Sequence, residues 1–421
     1  HIEPAAFETV RQTKLQGDVG TNSAGAHPAL GFTLGQTRRP AFEQWVKTAG
    51  ASCKAGDVAS VLECQRAGIA VKMITGDHLV TARAIAVQLG LKGGEENAQL
   101  IALSGRELEN ISDADLPGIA ERTAVFARVA PEQKLRLVKA LQSRGHIVAM
   151  TGDGVNDAPA LKQANIGVAM GISGTEVAKG AADMILIDDN FASIQAAVEE
   201  GRGVFDNLTK FIVWTLPTNA GEALVLLTAI TFGTALPALP VQLLWINLMT
   251  AIFLGLMLVF EPKERDLMAR PPRNPKRPLL TYALIMRTGL VSLIILGGSF
   301  WLFFWELRAE GASEAAARTA VVNVIVLVEI AYLFSCRSLN HSVFTIVWFT
   351  NGWALAGSLA MLGAQLLFTY APVMNQLFHT APIGAESWLR IAGVAALAFV
   401  AVEIEKWIRF GGHRGAHALP E

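Results

Sequence analysis

The sequence predicts two domains in series: an α/β domain built on a parallel, doubly wound sheet, then an all-α bundle of six membrane helices. Three observations carry this expectation. Short apolar runs alternate with helical patterns between Val58 and Ile187, the rhythm of strand, helix, strand. Six apolar segments near or above the length needed to cross a bilayer follow. Finally, 52% of the 421 residues are hydrophobic and only 17% charged, with most acids before residue 205, which points to a soluble module followed by a membrane module.

Residues 1–57 are rich in Gly, Ala and Thr, and beyond a short helical pattern at Ala41–Lys47 they read as a loosely ordered, unassigned tail. The α/β domain is placed at 58–205. Val58–Ala67 reads as a helix, Ile69–Ile74 as extended and Val80–Leu89 as a helix. Thr123–Ala127 and His146–Met150 are strands around a helix at Pro131–Ser143, and Ile166–Ala169 and Met184–Ile187 add two more. Short loops and helical crossovers make the sheet parallel. A helix from near Phe191 reads on through Val204 and Leu208 into the first membrane segment, a continuity that would couple sheet to membrane.

The membrane domain, 206–410, holds apolar segments at 211–232, 241–260, 281–304, 319–336, 344–369 and 388–408, ahead of a tail at 411–421. The connection Glu261–Leu280 carries Lys263, Arg265, Arg270, Arg273, Lys276 and Arg277, whereas Gly233–Pro240 carries no basic residue. The positive-inside rule puts the former in the cytoplasm, with Arg337, His341, Lys406, Arg409 and Arg414 on the same side. The expectation is a multi-pass protein of a bacterial plasma membrane, surrounded by lipid, with both termini cytoplasmic. Six core helices in a soluble protein would need a very large soluble shell. A net charge of −1 without a long basic block gives no reason to expect nucleic acid. Cys53, Cys64 and Cys336 lack metal-ligand spacing and read as reduced, structural thiols. The chain begins at His1 without a cleavable signal pattern, which suggests a fragment or a truncated reading frame.

The loop Thr151-Gly152-Asp153-Gly154-Val155-Asn156-Asp157-Ala158-Pro159-Ala160-Leu161-Lys162 follows the apolar run His146–Met150 and reads as the functional end of a strand. Carboxyl ends of strands face the ligand crevice in an open α/β sheet, so Asp153 and Asp157 are expected to project into a site. Two close carboxylates without a nearby Arg repel each other, and a hard cation with oxygen ligands relieves the repulsion; Mg2+ is the natural expectation. Gly152 and Gly154 permit close approach of backbone to phosphate, and Asn156 can hydrogen-bond phosphate oxygens without adding negative charge. A lone Gly-Asp-Gly would equally serve as an ordinary turn. Thr75-Gly76-Asp77 ends the strand Val71–Ile74 just before a helix, a place for phosphate to meet backbone donors or for a simple helix cap. In Phe126–Lys134, Pro131 suits the first helical turn and sets Lys134 near a strand end, where an ammonium can neutralise a transferring phosphoryl group. The plainer reading of a lone Lys is a solvated surface residue.

Ionisable groups within a bilayer are costly and default to functional roles. Asn219 and Glu222 are three apart on the first span and share a face, and Pro217 frees a carbonyl one turn back as a further oxygen ligand. Asn247 and Thr250 repeat the spacing in the second span, and Glu329 sits inside the fourth. Hard oxygens suit Ca2+, Na+ or protons rather than Cu+. Asn and Thr can alternatively serve only to hold helices together.

The ordered set Thr75-Gly76-Asp77, Pro131-Glu132-Gln133-Lys134 and the dodecamer from Thr151 resembles the P-type cation-transporting ATPases, whose phosphorylation domain is haloacid-dehalogenase-like. The resemblance covers about Val58–Phe410, through Ile166–Gly171 and Asp188-Asp189-Asn190-Phe191 into the spans. Asn219–Glu222 and Gln242–Thr250 resemble the ion-site helices of calcium-type pumps. The resemblance implies that Asp153 coordinates Mg2+ and that Asn156, Asp157, Lys134, Thr75, Gly76 and Asp77 serve an acyl-phosphate, with ATP as substrate of the complete pump. Asn219, Glu222, Asn247, Thr250 and Glu329 would hold the transported cation. Departures are equally specific. The family's Asp-Lys-Thr-Gly-Thr nucleophile motif is nowhere in the 421 residues, and neither are its nucleotide-binding insertion, its actuator domain and its first four spans. Ala251 stands where calcium pumps usually carry an Asp, which points to one Ca2+ or a monovalent cation rather than two divalent ions. The leading expectation is the carboxy-terminal part of an ATP-driven pump with a missing amino-terminal half as partner. The alternatives are a non-catalytic split subunit or remnant, and a phosphatase fused to a carrier, against which the absent nucleophile argues.

Overall fold

The computed structural model describes residues 55–92, 100–264, 266–274, 278, 281–338 and 350–410. The helix expected at Ala41–Lys47, Cys53, Arg265, Lys276, Arg277, His341, the start of the fifth span at 344–349 and the tail at 411–421 lie outside them. Residues up to Ala196 form one unit and those from Ala197 a second.

The first unit runs α1 (Ala55–Arg66), β1 (Met73–Thr75), α2 (Leu79–Gln88), β2 (Ala102–Ser104), α3 (Gly105–Glu109), α4 (Leu116–Arg122), β3 (Val125–Ala127), α5 (Pro131–Ser143), β4 (Ala149–Gly152), α6 (Ala158–Gln163), β5 (Ile166–Met170), α7 (Glu176–Ala181) and β6 (Met184–Leu186). All strand pairing is parallel, but the single expected sheet resolves into two three-stranded ones, ordered β1-β3-β2 and β4-β5-β6. Both sheets feed one core, in which Ile74, Phe126, Leu137, Met150, Leu161 and Ala169 are buried together. β2 is a strand missing from the sequence expectation although Leu100-Ile101-Ala102-Leu103 is a short apolar run; its three residues are only half-buried. Local chemistry fixes the turns that follow. Ser104 caps α3 reciprocally with Glu107, whose carboxylate accepts from the Ser104 amide at 2.7 Å. Pro131 opens α5, and Gln133 accepts from the Ala130 amide at 2.9 Å while donating to Gly105 O, which ties α5 to α3.

The second unit contains most of α8 (Phe191–Phe232), then α9 (Pro240–Phe253) with a 3-10 extension to Phe260, α10 (Tyr282–Arg308), α11 (Glu314–Cys336), α12 (Gly352–Tyr370), the short α13 (Pro372–Phe378) and α14 (Ala385–Phe410). Six of these helices are long and apolar enough to cross a membrane. Exposed apolar residues such as Leu227, Leu244, Leu293 and Leu397 suit a lipid-facing surface. α11 is the axis of the bundle: 83% of its most apolar window is buried, against 28–39% in the others. It packs against α10 and α14. Buried pairs fasten the bundle at the end of α11 that carries Arg337. Arg337 meets Glu261 at 3.1 Å, Asn351 donates to the same carboxylate, and Lys406 donates to Ser335 O at the carboxyl end of α11, where its positive charge suits the helix dipole.

Candidate functional site

In the first unit Lys134, Asp153 and Asp157 come together where β4 ends, and Thr75–Asp77 follow β1. β4 carries the chain to Gly152, a 3-10 turn at Val155–Asp157 bends it back, and α6 follows. Lys134, from the first turn of α5, donates to Asp157 Oδ1 at 2.7 Å, and both side chains are almost fully buried. The Gly154 amide donates to Asp157 Oδ2 at 3.1 Å. This changes how the carboxylate repulsion is resolved. Asp157 is neutralised by a protein cation, so Asp153 is the carboxylate left for a metal. Burial, and after it the Asp157 charge, push the Asp153 carboxyl above its usual range, with Lys134 opposing. A side chain on Gly152 would place its Cβ 2.5 Å from Asp157 Cβ, whereas at Gly154 the nearest atom is at 3.4 Å. The glycine at 152 therefore makes room for Asp157 rather than for phosphate. Gly152→Ala should lower stability by about 1–3 kcal/mol through overpacking. The check is thermal unfolding of the whole chain, with Gly154→Ala as the milder control.

Thr75 Oγ donates to Asp77 Oδ2 at 2.7 Å and accepts from the Asp77 amide at 3.1 Å, which folds Thr75-Gly76-Asp77 into a self-bonded turn. The cap of α2 is His78, not this turn. Burial raises the Asp77 carboxyl, and the Thr75 hydroxyl opposes that. Gly76 and Asn156 are exposed, and Gly76 has open space where a Cβ would stand.

Asp189 belonged to the quoted Asp188-Asp189-Asn190-Phe191 stretch without being assigned a role. Its backbone is left-handed at φ 46°, and its carboxylate accepts from the amides of Gly171, Ile172 and Ser173 at 2.7–3.1 Å. Burial pushes that carboxyl up, but these donors and the Ser173 hydroxyl outweigh it and hold it low. The loop so braced continues to Thr175, whose amide donates to Asp153 O at 2.8 Å. Among the described residues no three His, Cys, Asp or Glu side chains form a ready-made metal cage. A lone partly buried carboxylate still fits Mg2+, which binds through one or two carboxylates completed by phosphate and water.

In the second unit Glu222 of α8 and Glu329 of α11 are buried within one cluster. Asn247 of α9 donates to Glu222 Oε2 at 2.7 Å. Thr250, Glu222 and Thr218 are the side chains that interact with the Glu329 carboxyl. Glu222 Oε1 and Glu329 Oε2 have no donor of normal geometry among the described residues and the two carboxyl groups lie against each other, an arrangement that a proton or a cation between them would satisfy. Asn219 is exposed while Glu222 is buried; Thr218, next to Asn219, joins Glu222 as an α8 residue that interacts with Glu329. One expectation needs correction. The carbonyl freed by Pro217 is Val213 O, and it accepts from the Tyr332 hydroxyl at 2.9 Å instead of standing open.

Comparison with known proteins agrees with both halves. Residues 235–408 match the family described as "Cation transporting ATPase, C-terminus", and residues 41–165 and 134–198 match haloacid dehalogenase-like hydrolases. A probable cation-transporting ATPase F of Mycobacterium tuberculosis is 59% identical over 349 residues, 83% of this chain and 38% of that protein. The cation-transporting ATPase pma1 of Synechocystis is 46% identical over 79% of this chain and 37% of its own length. A calcium-transporting ATPase of Bacillus subtilis is 41% identical over 80% of this chain and 37% of its own. The chain thus spans less than two-fifths of the length of these relatives.

Proposed function

The chain belongs to the P-type cation-transporting ATPases, and from that premise we propose that it supplies the phosphoryl-handling end and the ion-binding spans of an ATP-driven cation pump. The observation that carries the proposal is that one chain holds a Lys134–Asp157 pair beside Asp153, which has no ion pair of its own among the described residues, and, within its spans, a buried Glu222–Glu329 pair. Lys134 brings positive charge toward a phosphoryl group, the exposed Gly76 of the self-bonded Thr75–Asp77 turn and the side chain of Asn156 offer it hydrogen bonds, and Asp189 braces the loop behind Asp153. Asp153 would hold Mg2+, which supplies charge neutralisation when bound. The aspartate acceptor is not among the 421 residues, so activity is proposed for an assembly that provides it, with ATP as substrate. Ca2+ or a monovalent cation is the proposed cargo, in a plasma membrane with both chain ends on the cytoplasmic side.

The test is co-expression with the amino-terminal part of the mycobacterial relative, followed by labelling with γ-labelled ATP. Acid-stable label is expected only with Mg2+ and both partners, and none with Asp153→Asn. Label on this chain alone overturns the proposal. Asp153 also predicts a pH signature. Its raised carboxyl makes the buried charge unfavourable to the fold above its pKa, so in Mg2+-free buffer near neutrality Asp153→Asn should hold or raise the thermal midpoint. Mg2+ competes with the proton there. The Mg2+-induced gain in midpoint should be present at neutral pH, fade on acidification through the raised pKa, and be absent in Asp153→Asn. A pH-independent Mg2+ effect, or one retained in the variant, would remove Asp153 as the ligand.

A further inference from the structure

The break in α8 is where the ion site is most exposed to interference. Pro217 has no amide hydrogen, so Val213 O, four residues back, loses its helical donor. A bare carbonyl inside a bilayer is costly and attracts water or a cation. Here Tyr332 of α11 donates its hydroxyl to that oxygen at 2.9 Å, from a side chain about 1% exposed. Two neighbouring contacts close the same region. Ser292 of α10 donates to Pro217 O at 2.8 Å, and the Trp214 indole donates to Glu329 O at 3.1 Å. Tyr332 lies three residues from Glu329 on α11, roughly one turn, with Cys336 also beside its hydroxyl, and the link from this turn of α8 to Glu329 runs through the Trp214 indole next to Val213.

We propose that Tyr332 is a positioning residue of the cation site: its hydroxyl replaces the donor that Pro217 removes and so holds the α8 turn that leads to Glu222 in its binding geometry. The proposal rests on the cation-pump reading of the Glu222–Glu329 cluster, whereas the geometry of the cap does not. Packing alone does not account for a phenol placed on the one carbonyl that the proline strips. Tyr332 touches no proposed ligand atom of Glu329, so its effect on binding is indirect.

The experiment uses the chain joined with the amino-terminal part of the mycobacterial relative, in lipid nanodiscs, with two readouts, equilibrium binding of Ca2+ and amide hydrogen exchange of the segment 211–222. Tyr332→Phe should accelerate exchange in that segment at least tenfold and weaken Ca2+ binding about tenfold without changing maximal binding. Adding Pro217→Ala restores an amide for Val213 O, so the double variant should recover slow exchange and most of the affinity. Tyr282→Phe, on an exposed tyrosine, is the control and should change neither. Wild-type exchange in Tyr332→Phe overturns the cap, and faster exchange that Pro217→Ala does not reverse overturns it in favour of packing. An absence of Ca2+ binding in the wild type counts against the cargo reading, while the exchange result still decides the cap. Altered exchange with unaltered Ca2+ affinity retains the cap and rejects its role in positioning the cation site.

Discussion

Asp157→Ala is expected to destabilise the first unit by about 3–5 kcal/mol, because it strands the Lys134 ammonium in a buried position without a partner. The carboxylate also accepts from the Gly154 amide, so the turn that presents Asp153 loses a contact in the same step. Hydrogen exchange of peptides from this unit, followed through urea unfolding of the whole chain, reads the loss directly. Lys134→Met combined with Asp157→Leu should recover most of it, since two apolar side chains leave no buried charge behind. If Asp157→Ala costs less than about 1 kcal/mol, the pair is worth no more than a surface ion pair and its burial is misjudged.

The second large effect lies in the spans. Glu222→Gln and Glu329→Gln should each weaken Ca2+ binding about 100-fold, or about 2.7 kcal/mol. A carboxylate at about 4 Å from a cation is worth up to about 4 kcal/mol at an effective dielectric constant of 20, and the amide that replaces it keeps an oxygen but no charge. Leu224→Ala, which changes only packing, should shift affinity by a small factor. Equilibrium binding to the chain joined with the amino-terminal part of a relative is the measurement. A second Ca2+ per assembly would contradict the inference from Ala251, and wild-type affinity in Glu222→Gln would return that residue to a structural role.

Much of the architecture was legible because strong patterns are hard to disguise. The helix expected at Val58–Ala67 is α1, the one expected at Pro131–Ser143 is α5 with the same bounds, and the six apolar segments correspond to six helices. Strand limits drifted by up to four residues. At Ile69–Ile74 the apolar run begins well before the ladder, which starts only at Met73; Ile69 and Val71 pack on the core without strand pairing. β2 went unread although Leu100-Ile101-Ala102-Leu103 is apolar, because so short a run does not distinguish a strand from a loop until it pairs with β3. In the site, spacing named Asp153, Asp157 and Lys134 but not the buried bond between the last two, because a contact between side chains 23 residues apart depends on how α5 lies over β4. The role of Pro217 was half legible. Proline chemistry reveals that a carbonyl is freed, while only the packing of α11 reveals that Tyr332 takes it.

The central position of α11 has a consequence for biogenesis. Glu329 and Asn323 are fully enclosed by neighbouring helices in the finished bundle, yet during synthesis α11 enters the bilayer before α12 and α14 exist. At that stage the partners of Glu329 on α8 and α9 are already made, but Asn323 lacks Thr369 of α12, whose hydroxyl accepts from it at 2.9 Å in the finished bundle. A nascent chain halted before residue 352 would present the Asn323 amide without that acceptor, a polar group within the bilayer that distinguishes it from a completed protein.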